Sequence, residues 1–311
     1  MTRTYSRRRF LWISAATAGI GLAARGACAS ERLHQWRGVA LGADASLILH
    51  HDDRLAATSI ISEALSEVGR LERIFSLYHA DSALVRLNRA GRLTAPPPEL
   101  LEVLAQARDV SEASDGAFDV SVQSLWKLYY DHFSKPGTDL AGPAPGDVRQ
   151  ARTLTDYRNI RLAPEEITFA RPGMAVTLNG IAQGYITDRV TSLLRKRGMV
   201  DVLVNMGEIR ALGGHPGGRP WRIGLDGNRD TPAIDLRDAA VATSATNGFV
   251  FGGGLHHILD PRADGGPAPE RTVSVVARSA TIADALSTAA LLLDGARARD
   301  LCREFDANLI A

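Results

Sequence analysis

The sequence predicts an α+β fold on three observations. Apolar stripes at helical spacing fall within 55–75, 100–110, 181–197 and 282–293. Short runs rich in β-branched residues lie between and after them. No repeat, low-complexity tract or self-sufficient linker interrupts the chain from about residue 30 to its end. With 311 residues, 45% hydrophobic and 23% charged, the chain is long enough to bury one large core or two modest ones.

The first 29 residues read as an export signal. Ser6-Arg7-Arg8-Arg9-Phe10-Leu11 leads into an Ala- and Gly-rich apolar segment that ends at Ala27-Cys28-Ala29, and the paired arginines match a twin-arginine signal. The apolar run is shorter than the ~20 residues a spanning helix needs, so cleavage rather than anchoring is expected. Arg25 argues against lipid attachment at Cys28. Removal of this segment leaves residues 30–311 as the mature domain, with no membrane span and a periplasmic location. The formal charge is +1; the leader holds five arginines and no acid, which leaves the remainder at −4. Such a balance does not point to nucleic acid as a partner. The mature chain keeps one cysteine, Cys302, so no internal disulfide can form and a packing role is expected.

From Leu55 to Phe75, Ile61, Leu65, Val68, Leu71 and Phe75 form a helical stripe with Glu63, Glu67 and Arg70 on other faces. Pro96-Pro97-Pro98 opens a second helix, because the first amides of a helix lack internal partners and tolerate proline. Its stripe is Leu100, Leu101, Leu104, Ala107 and Val110, and Asp115-Gly116 should close it. Residues 135–147 hold three Pro and three Gly and predict an exposed loop. Strands are expected at Ile167–Phe169, Ala175–Leu178, Val200–Asn205, Trp221–Leu225, Ala239–Ser244 and Val273–Ala277, and helices at Ile181–Arg197 and Ile282–Leu293.

Five segments could carry chemistry. Asp284 and Thr288 lie four apart on one helical face and offer hard oxygens suited to Mg²⁺ or Ca²⁺. The same spacing suits an acid that offsets the helix dipole and a back-bonding threonine. Thr177 to Tyr185 is a strand that breaks at Asn179-Gly180 into a helix start, where amides can take a phosphate and a freed carbonyl can face a cation. His256-His257 precedes the Asp260-Pro261 turn; in a strand the two would point to opposite faces, so one at most enters a given site as a proton carrier. Phe75-Ser76-Leu77-Tyr78 and Asp115-Gly116-Ala117-Phe118-Asp119 each put an aromatic beside small polar residues at a helix end, which fits a flat cofactor or simple core packing.

Taken in order, these segments resemble the ApbE family of FAD:protein FMN transferases. The resemblance runs from about Gly42 to Leu293 and rests on Phe-Ser-x-Tyr at 75–78, Asp-Gly-Ala-Phe-Asp at 115–119 and Gly-Ile-Ala-x-Gly-Tyr at 180–185, followed by Asn-x-Gly at 205–207, His-Ile-x-Asp-Pro at 257–261 and Ala-Asp-Ala-x-x-Thr at 283–288. It implies a tunnelling-type α+β fold with FAD in a cleft between two lobes. It implies that Leu41, Tyr78, Ala117, Phe118, Asp119, Thr177, Gln183 and Ile258 attend the cofactor. Mg²⁺ would be held by Asp284, Thr288 and the Gly180 carbonyl, with Ser287 where some members have a further acid. His257, with His256 second, would take a proton. Leu41-Gly42-Ala43 stands where the family usually has Met-Gly-Thr, and Thr177 and Gln183 replace its usual Asp and Lys.

The implied reaction moves FMN from FAD to a Thr or Ser hydroxyl of an acceptor protein and releases AMP. The acceptor would be a periplasmic or membrane-bound electron-transfer subunit. An FAD pyrophosphatase and a non-catalytic periplasmic flavin carrier are the alternatives.

Overall fold

Leu33–Ala40 (β1) turns through Leu41 and Gly42, both at positive φ, into Ala43–His50 (β2). Two left-handed residues make the hairpin turn whose twist suits adjacent strands. There follow α1 (Arg54–Phe75), α2 (Ala83–Ala90), β3 (Arg92–Thr94), α3 (Pro98–Ala113), α4 (Gln123–Phe133) and α5 (Pro145–Arg152). Next come β4 (Ile160–Leu162), β5 (Glu166–Phe169), α6 (Ala182–Lys196), β6 (Val202–Asn205), β7 (Ile209–Leu212), β8 (Trp221–Gly224), β9 (Ala233–Leu236) and β10 (Ala240–Ala245). The chain continues with β11 (Val250–Gly252), β12 (Leu255–His256), β13 (Thr272–Ala277), α7 (Ala280–Leu291), α8 (Gly295–Glu304) and β14 (Asn308–Ile310). This computed structural model describes residues 32–225, 233–252, 255–262 and 270–310, so the export signal expected over 1–29 lies outside the described residues. Among the described residues no helix is long and apolar enough to cross a membrane.

The fold is α+β, as the sequence predicts. Seven strands form one sheet in the order β1-β2-β6-β7-β10-β13-β14, and every pairing is antiparallel. Side chains alternate across it and both faces are covered. Leu47 and Leu49 of β2, Val202 and Val204 of β6 and Ala242 of β10 enter the main core. Their neighbours Ile48, Leu203 and Val241 enter a second cluster closed by Trp221, Ile223 and Leu236 of the β8–β9 hairpin. Burial on both faces explains why β2 reads as a continuous apolar run, Leu47-Ile48-Leu49, without the period-2 signal by which a strand is recognised. Helices α6 and α7 lie on the main face and pack against each other, with α1 against α6 and α3 against α7. A third cluster, Leu125, Tyr129, Val148, Ala151 and Leu259, joins α4, α5 and the segment after β12.

Most expected elements form within a residue or two of their expected limits, and two expectations need correction. Ala175–Leu178 is not a strand. The amide of Val176 donates to Asn88 Oδ1 and its carbonyl accepts from Asn88 Nδ2, both at 2.8 Å, while the Thr177 amide donates to Val120 O. A side chain from α2 thus satisfies backbone groups that a ladder would otherwise take. The loop expected over 135–147 ends early, because Pro145 opens α5 from its first turn.

Candidate active site

α6 and α7 run in opposite directions and meet residue against residue. Gly180, two residues ahead of α6, lies against Thr288: a Cβ built on Gly180 would sit 2.9 Å from Thr288 Oγ1. One turn on, a Cβ on Gly184 would sit 2.2 Å from Ala280 O, and the Gly184 amide donates to Asp284 Oδ2 at 3.1 Å. One turn further, Asp188 accepts from the amides of Ala280 and Thr281, both at 2.9 Å. Positions 180, 184 and 188 therefore face 288, 284 and 280. The glycines are there because the helices approach too closely for any side chain. The Gly184 amide is among the helix-start donors that lack an intrahelical acceptor, and Asp284 supplies one.

Proton counting orients the Thr288 hydroxyl. Ser287 Oγ donates to Asp284 O at 2.9 Å. Its single proton is then used, so in the 2.8 Å contact with Ser244 Oγ it accepts. Ser244 in turn must accept from Thr288 in their 3.2 Å contact. Thr288 Oγ1 thereby gives its proton to β10 and keeps its lone pairs for another partner.

The carboxyl of Asp284 is 2% exposed. Burial, opposed by the Gly184 amide and assisted by the charge of Asp188, pushes it up to about 7. Glu208, immediately before β7, is buried beside it; burial first and Asp284 second push its carboxyl well above the ordinary value. Burying two acids side by side disfavours the charged form of both.

A cleft opens in front of these residues, where the third cluster meets the main core. Asp284, Thr288, Gly180, Thr177, Asn179 and Ser244 form its oxygen-rich wall. Ala117, Phe118, Val122, Trp126 and Ile258 give the cleft its aromatic and apolar surface, and Asp119 lines it as well. Asp119 caps the turn at Val120–Val122: Oδ1 accepts from the Ser121 amide at 2.8 Å and from Ser121 Oγ at 2.7 Å, and Oδ2 accepts from the Tyr157 amide at 3.0 Å. Burial raises its carboxyl, and these bonds oppose the rise.

His257 also lines the cleft and is 9% exposed. Its Nδ1 lies 3.1 Å from Phe249 O, and a carbonyl can only accept, so the proton sits on Nδ1 and Nε2 is the basic nitrogen. His256 is buried with Nδ1 against Ile258 O at 3.1 Å and is not among the cleft-lining residues.

Of the residues expected from sequence, the cleft brings together Ala117, Phe118, Asp119, Thr177, Gly180, His257, Ile258, Asp284 and Thr288. Leu41, Tyr78, Gln183, His256 and Ser287 are not on its wall. Leu41 sits in the β1–β2 turn, where its amide donates to Glu72 Oε1 at 2.6 Å. Tyr78 is half-exposed beyond α1. Gln183 is turned onto Gly207, whose Cβ, if present, would sit 2.4 Å from Gln183 Cδ. Ser287 reaches the site through Ser244 and the Asp284 carbonyl. Sequence reasoning missed Ser244, Glu208, Trp126 and Asp188; the nearest signal was Glu208, adjacent to Asn205-x-Gly207.

The ApbE family model matches residues 41–311. An FAD:protein FMN transferase of Treponema pallidum is 32% identical over 279 residues, covering 79% of this chain and 75% of that one. Among solved structures, the apo form of the flavinyl transferase ApbE of Pseudomonas stutzeri aligns with a TM-score of 0.76 at 27% identity, covering 87% of each chain. The ApbE protein of Thermotoga maritima aligns with a TM-score of 0.76 at 28% identity, covering 89% of this chain and 93% of that one.

Proposed function

The chain belongs to the ApbE family, and from that premise we propose that it is an FAD:protein FMN transferase that works with magnesium and releases AMP. The observation that carries the proposal is the pairing of an oxygen-rich wall with a histidine and an aromatic face in one cleft. FAD needs all three: a flat surface for its rings, a cationic environment for its pyrophosphate, and a base near the phosphorus that reacts.

The residues present fit magnesium. Asp284 is a buried acid, Thr288 Oγ1 has its lone pairs turned from Ser244, and Gly180 brings its backbone close against Thr288. All are hard oxygen donors. Among the described residues no cluster of three or more His, Cys, Asp or Glu forms, so the donor set does not suit zinc. Bound magnesium would neutralise the pyrophosphate and the charge that develops on the leaving AMP.

The chain's own residues do the rest. Phe118 and Trp126 supply the aromatic surface against which the flavin or adenine would lie. An acceptor Ser or Thr hydroxyl attacks the FMN phosphorus; its O–P bond forms as the bond to AMP breaks, and its proton passes to His257 Nε2. The Phe249 carbonyl holds the His257 tautomer that can receive it.

Incubating the mature protein with FAD, Mg²⁺ and a flavin-accepting domain tests the proposal. The acceptor should gain the mass of FMN as AMP appears in equal amount. AMP without an acceptor mass gain, or intact FAD, would refute transfer. The arginine-rich leader further supports export by the twin-arginine route to the periplasm, with an electron-transfer subunit there as the acceptor. Replacement of Arg7 and Arg8 by Lys should leave the protein in the cytoplasm; unchanged export would remove that part.

A further inference from the structure

We propose that Asp188 is a positioning residue that fixes the register between α6 and α7, and so brings Gly180, Asp284 and Thr288 together. The proposal rests on the magnesium reading above. Asp188 is the outermost of the three facing pairs and binds no part of the cleft itself. Its Oδ1 accepts from the Ala280 amide at 2.9 Å, and Oδ2 from the Thr281 amide at 2.9 Å, Thr281 Oγ1 at 2.7 Å and Ser279 Oγ at 2.6 Å. Arg210 of β7 forms an ion pair with Oδ1 and ties the carboxylate to the sheet. Ser279 Oγ also receives the Ile282 amide, so the whole first turn of α7 is gathered on one side chain.

A negative charge at a helix start is favourable, and the far end of α7 is held by the opposite sign. Arg271 donates from Nε to Leu291 O at 2.9 Å and from Nη2 to Ala290 O at 2.7 Å. α7 is therefore clamped at both ends, and the clamp on the α6 side is Asp188. A helix slips or tilts by fractions of a turn when its end is released, and Asp284 and Thr288 lie one and two turns from Ala280. Small movement at Ala280 would open the gap between Gly180 and Thr288 without removing any donor.

The test is a titration with Mg²⁺ alone, followed by calorimetry and by the magnesium-dependent rise of the melting temperature, on wild type, Asp188→Asn and Thr281→Val. Asp188→Asn keeps the volume but removes the charge and one acceptor. Thr281→Val removes a single contact and keeps the carboxylate. The half-saturating Mg²⁺ concentration should rise about tenfold or more for Asp188→Asn and about two- to fourfold for Thr281→Val. At saturating Mg²⁺ the KM for FAD should stay near wild type. Wild-type Mg²⁺ affinity in folded Asp188→Asn, whatever its loss of melting temperature, would overturn the positioning role and leave the transferase reading intact. If Asp188→Asn does not fold, wild-type affinity in Thr281→Val overturns it instead. Absence of any Mg²⁺ response in the wild-type protein would overturn both.

Discussion

Gly184 donates its amide to Asp284 across the α6–α7 contact, and no side chain fits at Gly184 because Ala280 O would lie 2.2 Å from its Cβ. Close packing and carboxylate placement are thus one feature. Gly184→Ala should push α7 off α6, with a loss of about 1–3 kcal/mol from overpacking. Transfer should fall by more than that loss of stability accounts for. Denaturant midpoints and turnover, measured on the same samples, check it.

Asp284→Ala should abolish FMN transfer, because the buried carboxyl proposed to hold magnesium is lost. FAD should still bind through the aromatic wall, as flavin fluorescence would show. Full activity of this variant after chelation of magnesium would rule out the mechanism.

Ser244→Ala breaks the hydroxyl relay from Thr288 to Ser287. Thr288 could then turn its proton toward the cleft, and kcat should fall about tenfold, the scale of one uncharged hydrogen bond. Ser287→Ala should behave similarly but more mildly, since Ser244 keeps its contact with Thr288. Rates at saturating FAD distinguish the two.

His257→Ala should lower kcat by about 10²–10⁴, the usual worth of a general base, and leave FAD affinity near wild type. His256→Ala should cost stability rather than chemistry, because that ring is buried against Ile258 O off the cleft.

Glu208 links the site to pH. Its folded pKa lies above its unfolded value, so the native protein binds the extra proton and loses stability as pH rises from the ordinary carboxylate range toward neutrality. In EDTA, Glu208→Gln should flatten that decline, by up to about 1.4 kcal/mol per pH unit over the shifted window. Melting curves from pH 5 to 8 would show it; an unchanged slope would show that Glu208 does not titrate there.

The sequence alone determined α1, α3, α6 and α7 and most of the carriers of chemistry on them. The period of Leu100 to Val110, the Asp284-x-x-x-Thr288 spacing and the break at Asn179-Gly180 are local patterns, written in neighbouring residues. The buried thiol of Cys302, pushed up to about 11 by burial, matches the packing role expected for it. Only tertiary structure decided what those residues face. Asn88 reaches Val176 across 88 positions, Gly184 meets Asp284 across 100, and Ser244 meets Thr288 across 44. No local period records such a contact, because it exists only once the sheet has set α6 against α7. Gln183 and Ser287 sit beside site residues in sequence yet turn away from the cleft, since one helical position changes direction by about 100°. Distance along the chain says which residues share a helix face; packing says which face meets the cleft.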